Sequence, residues 1–400
     1  MFNLIETEKI CRIQDPLNWT IEKSELFLNA CSEMADFHQK HCPEICELYK
    51  KHSFVPSSLK NTSSDKKTLS QFYSKSNINS FFNSPIENLI SKIPHVGVTA
   101  MKYYLLNSLP ESDAVLKLTS SGTRGQKTRI WFDEKSLARV QAMLEELWRQ
   151  EGLISKKSTN YMMMVYDPEE AKDLGIAFTL RNQQRFAPAD ETFFAIKKGK
   201  NDSWEFDIQK AHAKLRSYID IGKPVRILGI TSFIYELVEE LEKTGGIHLP
   251  SDSYMLTGGG WKAADDKKVP RDYFRQKASK ALGIPVENIR DGYGMAEHSS
   301  PYIECAKHHF HVPVYNRIYI RNPITMAMLP PGETGLIELI TPFNAIMPNL
   351  SVLSTDMGFI ESEPCPCGWN SPTFVIAGRG GVSKHKGCAL TAAEIVRRKV

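Results

Sequence analysis

Thr119, Ser120, Ser121, Gly122, Thr123, Arg124, Gly125, Gln126 and Lys127 form the densest phosphate-compatible run in the chain. Glycines and small hydroxyl residues let backbone N–H groups approach phosphate oxygens, and the hydroxyls add donors. Arg124, Lys127 and Arg129 supply positive charge. Gln126 stands after Gly125, so the Gly-Lys-Ser/Thr ending of the common mononucleotide loop is absent, as is the dinucleotide glycine pattern. A Gly/Ser turn without a ligand is the plain alternative.

Three further places could complete a nucleotide site. Gly258, Gly259 and Gly260 follow the apolar YMLT, where absent side chains let a ligand ring lie against backbone. Tyr293 and Glu297 close DGYGMAE; the ring could stack on a base and the carboxylate could hold Mg²⁺ against phosphates, or both could serve packing. Asp356 in STDMG could accept both hydroxyls of a ribose, or could form a turn.

Thiols form a second chemistry. Cys388 lies in SKHKGCA beside Lys384, His385 and Lys386, whose charges favour a thiolate, while a small buried thiol is the alternative. Cys365 and Cys367 flank Pro366, and Cys305 precedes His308, His309 and His311. If the two loops meet, Cys305, Cys365, Cys367 and one histidine, with His311 as a candidate, could hold structural Zn²⁺ tetrahedrally. The alternative is a knuckle of small thiols. Cys42 and Cys46 read as thiols packed in a helix interface.

The elements that must position these residues follow from periodicity. Residues 1–52 carry apolar positions at helical spacing, and 53–75 are polar like a linker. From about residue 113, apolar strands (VLKLT, YMMMVY, VRILGI, SYMLT, ENIRDGY) alternate with helices such as EKSLARVQAMLEELWRQ and TSFIYELVEELEK. That order predicts an α/β fold of mostly parallel sheet covered by helices. NRIYI, GLIELI and TFVIAG then indicate a smaller β-rich subdomain.

With 400 residues, 42% hydrophobic and 24% charged, the chain is an ordinary globular protein with a large core. A net charge of +4, with no basic tract interleaved with aromatics, excludes nothing but gives no sign of nucleic acid. No signal peptide or apolar span is evident, so a cytoplasmic protein without an integral membrane segment is expected. The eight cysteines then give no reason to expect a disulfide framework.

In this order the motifs resemble the adenylate-forming superfamily: LTSSGTRGQ, LTGGGWK, DGYGMAE, STDMG and AGRGG. VPRDYF and PCPCG are similar to its long-chain acyl-protein synthetase branch, the fatty-acid-activating part of bacterial luminescence reductase complexes. The likeness covers about residues 90–396. It implies that Ser120, Ser121, Gly122, Thr123, Arg124 and Gly125 surround phosphate and that Gly259, Gly260 and Tyr293 lie at adenine. It also implies Glu297 on Mg²⁺, Asp356 on ribose, and Arg379 against the nucleotide from a hinge.

The resemblance implies three segments: a helical extension and linker over 1–90, an adenylate-forming core over 91–378 with the β-rich part from about 310, and a hinge-like tail over 379–400. Full-length ligases continue past the hinge for roughly another hundred residues and use a lysine there. This chain stops at Val400, which implies a largely absent lid, with Lys384 or Lys386 supplying part of its charge. Cys388 then matches the branch's acyl-carrying cysteine. The implied reaction takes ATP, Mg²⁺ and a long-chain fatty acid to acyl-AMP, then to a thioester on Cys388. The implied partners are a fatty-acid reductase and its associated acyltransferase. An acyl- or aryl-CoA ligase, transfer to a carrier protein, and a nucleotide-binding scaffold are the alternatives. GIAFTL, ILGITSFIY and YMMMV could line an acyl tunnel or fill the core.

Overall fold

In the computed structural model, the described residues are 3–60, 69, 71–72, 81–120, 128–171, 175–199, 204–261 and 267–380. Three helices come first: α1 (Ile5–Cys11), α2 (Ile21–His41) and α3 (Pro43–Lys51). Thr20 caps α2 by accepting from Lys23 N–H, and Pro43 opens α3 where a missing N–H costs nothing. Next come α4 (Pro85–Ile90), the short β1 (Val96–Gly97) and α5 (Val98–Tyr103). The strands β2 (Leu116–Thr119) and β3 (Arg129–Phe132) form an antiparallel hairpin around the phosphate-type loop.

The middle of the chain alternates as expected: α6 (Glu134–Gln150), β4 (Thr159–Tyr166), α7 (Gly175–Asn182), β5 (Ala189–Lys198), β6 (Trp204–Phe206), α8 (Ile208–Ile221), β7 (Val225–Ile230), α9 (Thr231–Lys243), β8 (Tyr254–Gly258), α10 (Arg271–Leu282), β9 (Ile289–Tyr293) and β10 (Tyr302–Ile303). Its sheet runs β10-β9-β8-β7-β4-β5-β6; the inner pairs are parallel, and β6 and β10 are antiparallel edges. A sheet buried on both faces needs strands apolar throughout, which explains YMMMVY. Met162 and Met164 enter one core, and Tyr161, Met163 and Val165 the other.

The remaining strands are β11 (Phe310–His311), β12 (Arg317–Arg321), β13 (Gly335–Ile340), β14 (Ser351–Ile360) and β15 (Thr373–Arg379). They form a second sheet in the order β11-β15-β14-β13-β12, antiparallel throughout except for β1, which adds parallel to β14. The mostly parallel expectation therefore holds for the first sheet alone.

The N-terminal helices share one apolar core with this second sheet. The Arg317 guanidinium is its polar centre. It donates to both Glu87 oxygens at 2.9 and 3.0 Å and to Ser24 Oγ at 3.1 Å, and lies 4.0 Å from the Trp19 ring centre. Tyr319 adds its hydroxyl to Glu87 at 2.7 Å. Burial pushes the Glu87 carboxyl up from its ordinary value, and Arg317 opposes that shift. One strand, α2, α4 and the Trp19 segment thus meet on one ion pair. Glu87→Ala leaves the guanidinium buried and unpaired, so a loss of about 3–5 kcal/mol is expected. Urea unfolding of the full chain measures it, and a loss under 1 kcal/mol would show that the pair does not hold the helices.

Candidate active site

The parallel strands β8 and β9 end together, with Gly258 opposite Gly292. Open α/β sheets bind ligands at such carboxyl ends. Gly259 and Gly260 follow at φ +70° and +64°, where a side chain would be strained, so backbone lies bare beside the strand ends. Thr257 donates to Asp291 Oδ1 at 2.7 Å and braces the two strands. Burial, with Glu304 beside it, raises the Asp291 carboxyl to about 6.

Tyr293 ends β9 and points across to the second sheet. Its hydroxyl donates to Asp356 Oδ2 at 3.0 Å, while Arg379 donates to Asp356 Oδ1 at 3.2 Å. Asp356 and Arg379 are cross-strand neighbours on β14 and β15. The Arg379 side chain is 77% exposed against 13% for Asp356, so the guanidinium stands at the rim. Burial, then the charge of Asp356, raises the Tyr293 phenol well above its ordinary value, and it stays a donor.

Four residues beyond Tyr293, Glu297 lies buried at the foot of the β2–β3 hairpin. Thr128 donates its hydroxyl to Glu297 Oε1 at 2.5 Å, and Asn349 donates to the Glu297 carbonyl at 2.8 Å. Ser120 and Thr128 close the hairpin with paired contacts of 2.9 Å, the Ser120 hydroxyl accepting from Thr128 N–H. Among the described residues Glu297 has no ion-pair partner. A buried carboxylate without a fixed cation suits a divalent ion brought in with phosphates.

Contacts join Ser120 to Glu297 through Thr128 and Tyr293 to Asp356 and Arg379, while Gly259 and Gly260 follow the strand end paired with β9 and Glu297 follows Tyr293 by four residues. Ser121, Gly122, Thr123, Arg124, Gly125, Lys384, Lys386 and Cys388 lie outside the described residues. Sequence reasoning missed Thr128, Asn349 and Asp291. Thr128 had one usable signal, its place as the first hydroxyl residue after the loop's basic run.

Cys305, His311, Cys365 and Cys367 come together, with ligand atoms within 4.8 Å of one another. Of the three histidines, His311 is the one that meets the thiols, while His309 contacts Glu361 at 2.6 Å. The Cys365 thiol beside Cys305 lowers the Cys305 thiol to about 3 against the effect of burial. Burial pulls His311 down, but the Cys305 and Cys367 sulfurs outweigh it and raise the ring to about 9.

Solved structures with a similar fold define the fold class first. A 2-hydroxyisobutyryl-CoA ligase, in an open conformation with 2-HIB-AMP and CoA, superposes with a TM-score of 0.63 at 14% identity, over 91% of this chain and 78% of that one. The same ligase in its postadenylation state with R3-HIB-AMP also gives 0.63 at 15% identity, over 91% and 71%. The fold is that of the adenylate-forming ligases. The chain belongs to the acyl-protein synthetase family LuxE, which it matches over residues 54–396. Similar relatives are the long-chain-fatty-acid–luciferin-component ligases of Aliivibrio fischeri (22% identical) and Vibrio harveyi (24%), each over 78% of this chain and 80% of the relative. That membership makes the chain an acyl-activating ligase. Among the described residues no helix is long and apolar enough to cross a membrane.

His298 adds a pH dependence to the loop that carries Glu297. It is fully buried, stacks on Tyr302 and shares a 3.0 Å hydrogen bond with that hydroxyl. Burial lowers the ring to about 3 from 6.5. The unfolded chain then takes up a proton first, so this part of the stability is present above pH 6.5 and is lost as pH falls toward 3. His298→Phe is expected to flatten the slope of unfolding free energy below pH 6 by up to about 1.4 kcal/mol per pH unit. Equal slopes in urea titrations of the two proteins would contradict a neutral, buried His298.

Proposed function

We propose that this chain uses ATP to convert a long-chain fatty acid to acyl-AMP, takes the acyl group as a thioester on Cys388, and delivers it to a fatty-acid reductase. The observation that carries the reading is a pair of contacts, Thr128 with Glu297 and Tyr293 with Asp356 and Arg379, joined by the four-residue step from Tyr293 to Glu297. It presents a hydroxyl-lined hairpin base, a buried carboxylate and a diol-type acceptor along one seam. The family match, which extends through Cys388, and the names of the relatives favour a fatty acid and a protein acceptor.

In the first step a carboxylate oxygen attacks the α-phosphorus, the bond to the β-phosphate oxygen breaks, and pyrophosphate leaves. Mg²⁺, held by Glu297, would neutralise the departing charge. Ser120 and the loop after it would donate to phosphate oxygens, and Arg379 would add a cation from the rim. Asp356 would exchange its contacts with Tyr293 and Arg379 for the two ribose hydroxyls. In the second step the Cys388 thiolate attacks the acyl carbonyl carbon, the bond to the phosphate oxygen breaks, and AMP leaves. Lys384 and Lys386 would favour the thiolate. The thioester keeps the acyl group reactive toward a reductase, with an acyltransferase as a further partner.

Incubation with ATP, Mg²⁺ and labelled fatty acids, followed by intact and peptide mass spectrometry, tests the whole sequence. A hydroxylamine-sensitive acyl adduct on Cys388 is expected. Cys388→Ser should retain acid-dependent pyrophosphate release while losing the adduct. Release of acyl-CoA without an adduct would move the acceptor to CoA, and the absence of pyrophosphate across a broad acid panel would end the adenylation reading.

Asp356→Ala should raise KM for ATP about 10- to 100-fold, the size of a lost charge-assisted hydrogen bond of about 1.5–3 kcal/mol. An unchanged KM would remove Asp356 from the ribose.

A further inference from the structure

The Cys305–His311–Cys365–Cys367 cluster shares no residue with those assigned to nucleotide chemistry and joins both sheets. Cys305 follows β10, the edge of the parallel sheet, and His311 ends β11. Cys365 and Cys367 sit in the turn between β14 and β15. Cys305, His311 and Cys365 are buried.

The Cys305–Cys365 spacing is that of a tetrahedral zinc site, and the Cys367–His311 spacing is about 0.3 Å short of it. Cys305 Sγ lies 3.7 Å from Cys365 Sγ, and Cys367 Sγ lies 3.2 Å from His311 Nε2. Zinc at about 2.3 Å from sulfur and about 2.0–2.1 Å from nitrogen sets neighbouring ligand atoms about 3.5–3.8 Å apart. A disulfide needs its sulfurs about 2.0 Å apart, so the Cys305–Cys365 pair is not bonded.

The surroundings are those of a built site. Ser371 Oγ lies 2.8 Å from His311 Nδ1, which turns Nε2 toward the sulfurs. Lys307 N–H points at Cys305 Sγ from 3.4 Å, a contact that stabilises a thiolate. Both thiol turns are tight: His308 N–H donates to the Cys305 carbonyl at 2.9 Å with His308 at φ +65°, and Gly368 takes φ +95° after Cys367. A knuckle of thiols placed only to fill space has no need of an oriented imidazole.

The geometry points to a structural Zn²⁺ held by Cys305, His311, Cys365 and Cys367 that ties the edge of the parallel sheet to the β14–β15 turn. Four protein ligands close the coordination shell and leave no position for a reacting water. The site's role is mechanical. Glu304, next to Cys305, accepts from Asp291 N–H on β9 at 2.8 Å, and β14 and β15 carry Asp356 and Arg379. Pinning the knuckle fixes the two sheets on either side of the Tyr293–Asp356 contact.

The test is metal analysis of the full-length protein purified without chelator. One zinc per chain should survive gel filtration, persist in Cys46→Ser and be lost in Cys367→Ser. Protein stripped of metal should take up Co²⁺ with the d–d bands of a tetrahedral thiolate site, and its thermal midpoint should rise when Zn²⁺ is restored. The stripping and refilling use the native sequence, so they decide the matter even if Cys367→Ser fails to fold. Metal-free protein that shows no cobalt bands, iron in place of zinc, or full zinc in folded Cys367→Ser would each overturn the site. None of these readouts depends on adenylation.

Discussion

Two sheets of different construction meet on a small group of aromatic rings, and the site depends on that meeting. Tyr293 packs 6.0 Å from Tyr302 and 5.9 Å from Phe374, centre to centre, and Phe310 lies 5.5 Å from Phe374. These rings come from β9, β10, β11 and β15. Tilted and edge contacts of this kind add about 0.5–1.5 kcal/mol per pair beyond burial. The packing also leaves one obligation, because the buried Tyr293 hydroxyl requires an acceptor. Asp356 supplies it, so the contact that closes the seam also orients the carboxylate at its rim.

Charge placement separates scaffold from site. Arg317 with Glu87, Arg275 with Glu304 and Arg290 with Glu151 are buried pairs, each with further hydrogen bonds. Buried charges require such partners, and these pairs stand where helices or strand edges must be fixed. Glu297 is equally buried, yet among the described residues it has only the Thr128 hydroxyl on its carboxylate. Among the described residues no cation pairs with this carboxylate, which lies at the foot of the β2–β3 hairpin. In the proposed function, a metal-bound triphosphate would balance that charge.

Much of this was legible in the sequence because local patterns decided it. Apolar runs such as YMMMVY and VRILGI suit strands of a sheet covered on both faces, and the helices between them show the 3.6-residue period. The tight glycine positions and the order of Tyr293, Glu297 and Asp356 were also local signals. What sequence reasoning missed depends on distant partners. Nothing near Ser24 announces Arg317, 293 residues away, so the first helices read as an extension although they share a core with the second sheet. The choice among His308, His309 and His311 needed the fold as well, because only β11–β15 pairing puts His311 beside Cys367 and Ser371. ADETFFAIKK gave no clean alternation and went unread as β5, although it pairs with β4 along most of its length.

The seam also bears on the proposed acylation of Cys388. Arg379 is both the cross-strand partner of Asp356 and nearly the last described residue, so the remaining chain departs from the rim of the nucleotide seam. Cys388 follows Gly380 by eight residues. An extended chain spans at most about 3.3–3.6 Å per residue, so its reach is under about 30 Å. Within that reach, Cys388 would meet the proposed adenylate at an effective concentration on the order of millimolar. In the proposed reaction, the strand that positions the nucleotide is therefore also the anchor of the nucleophile.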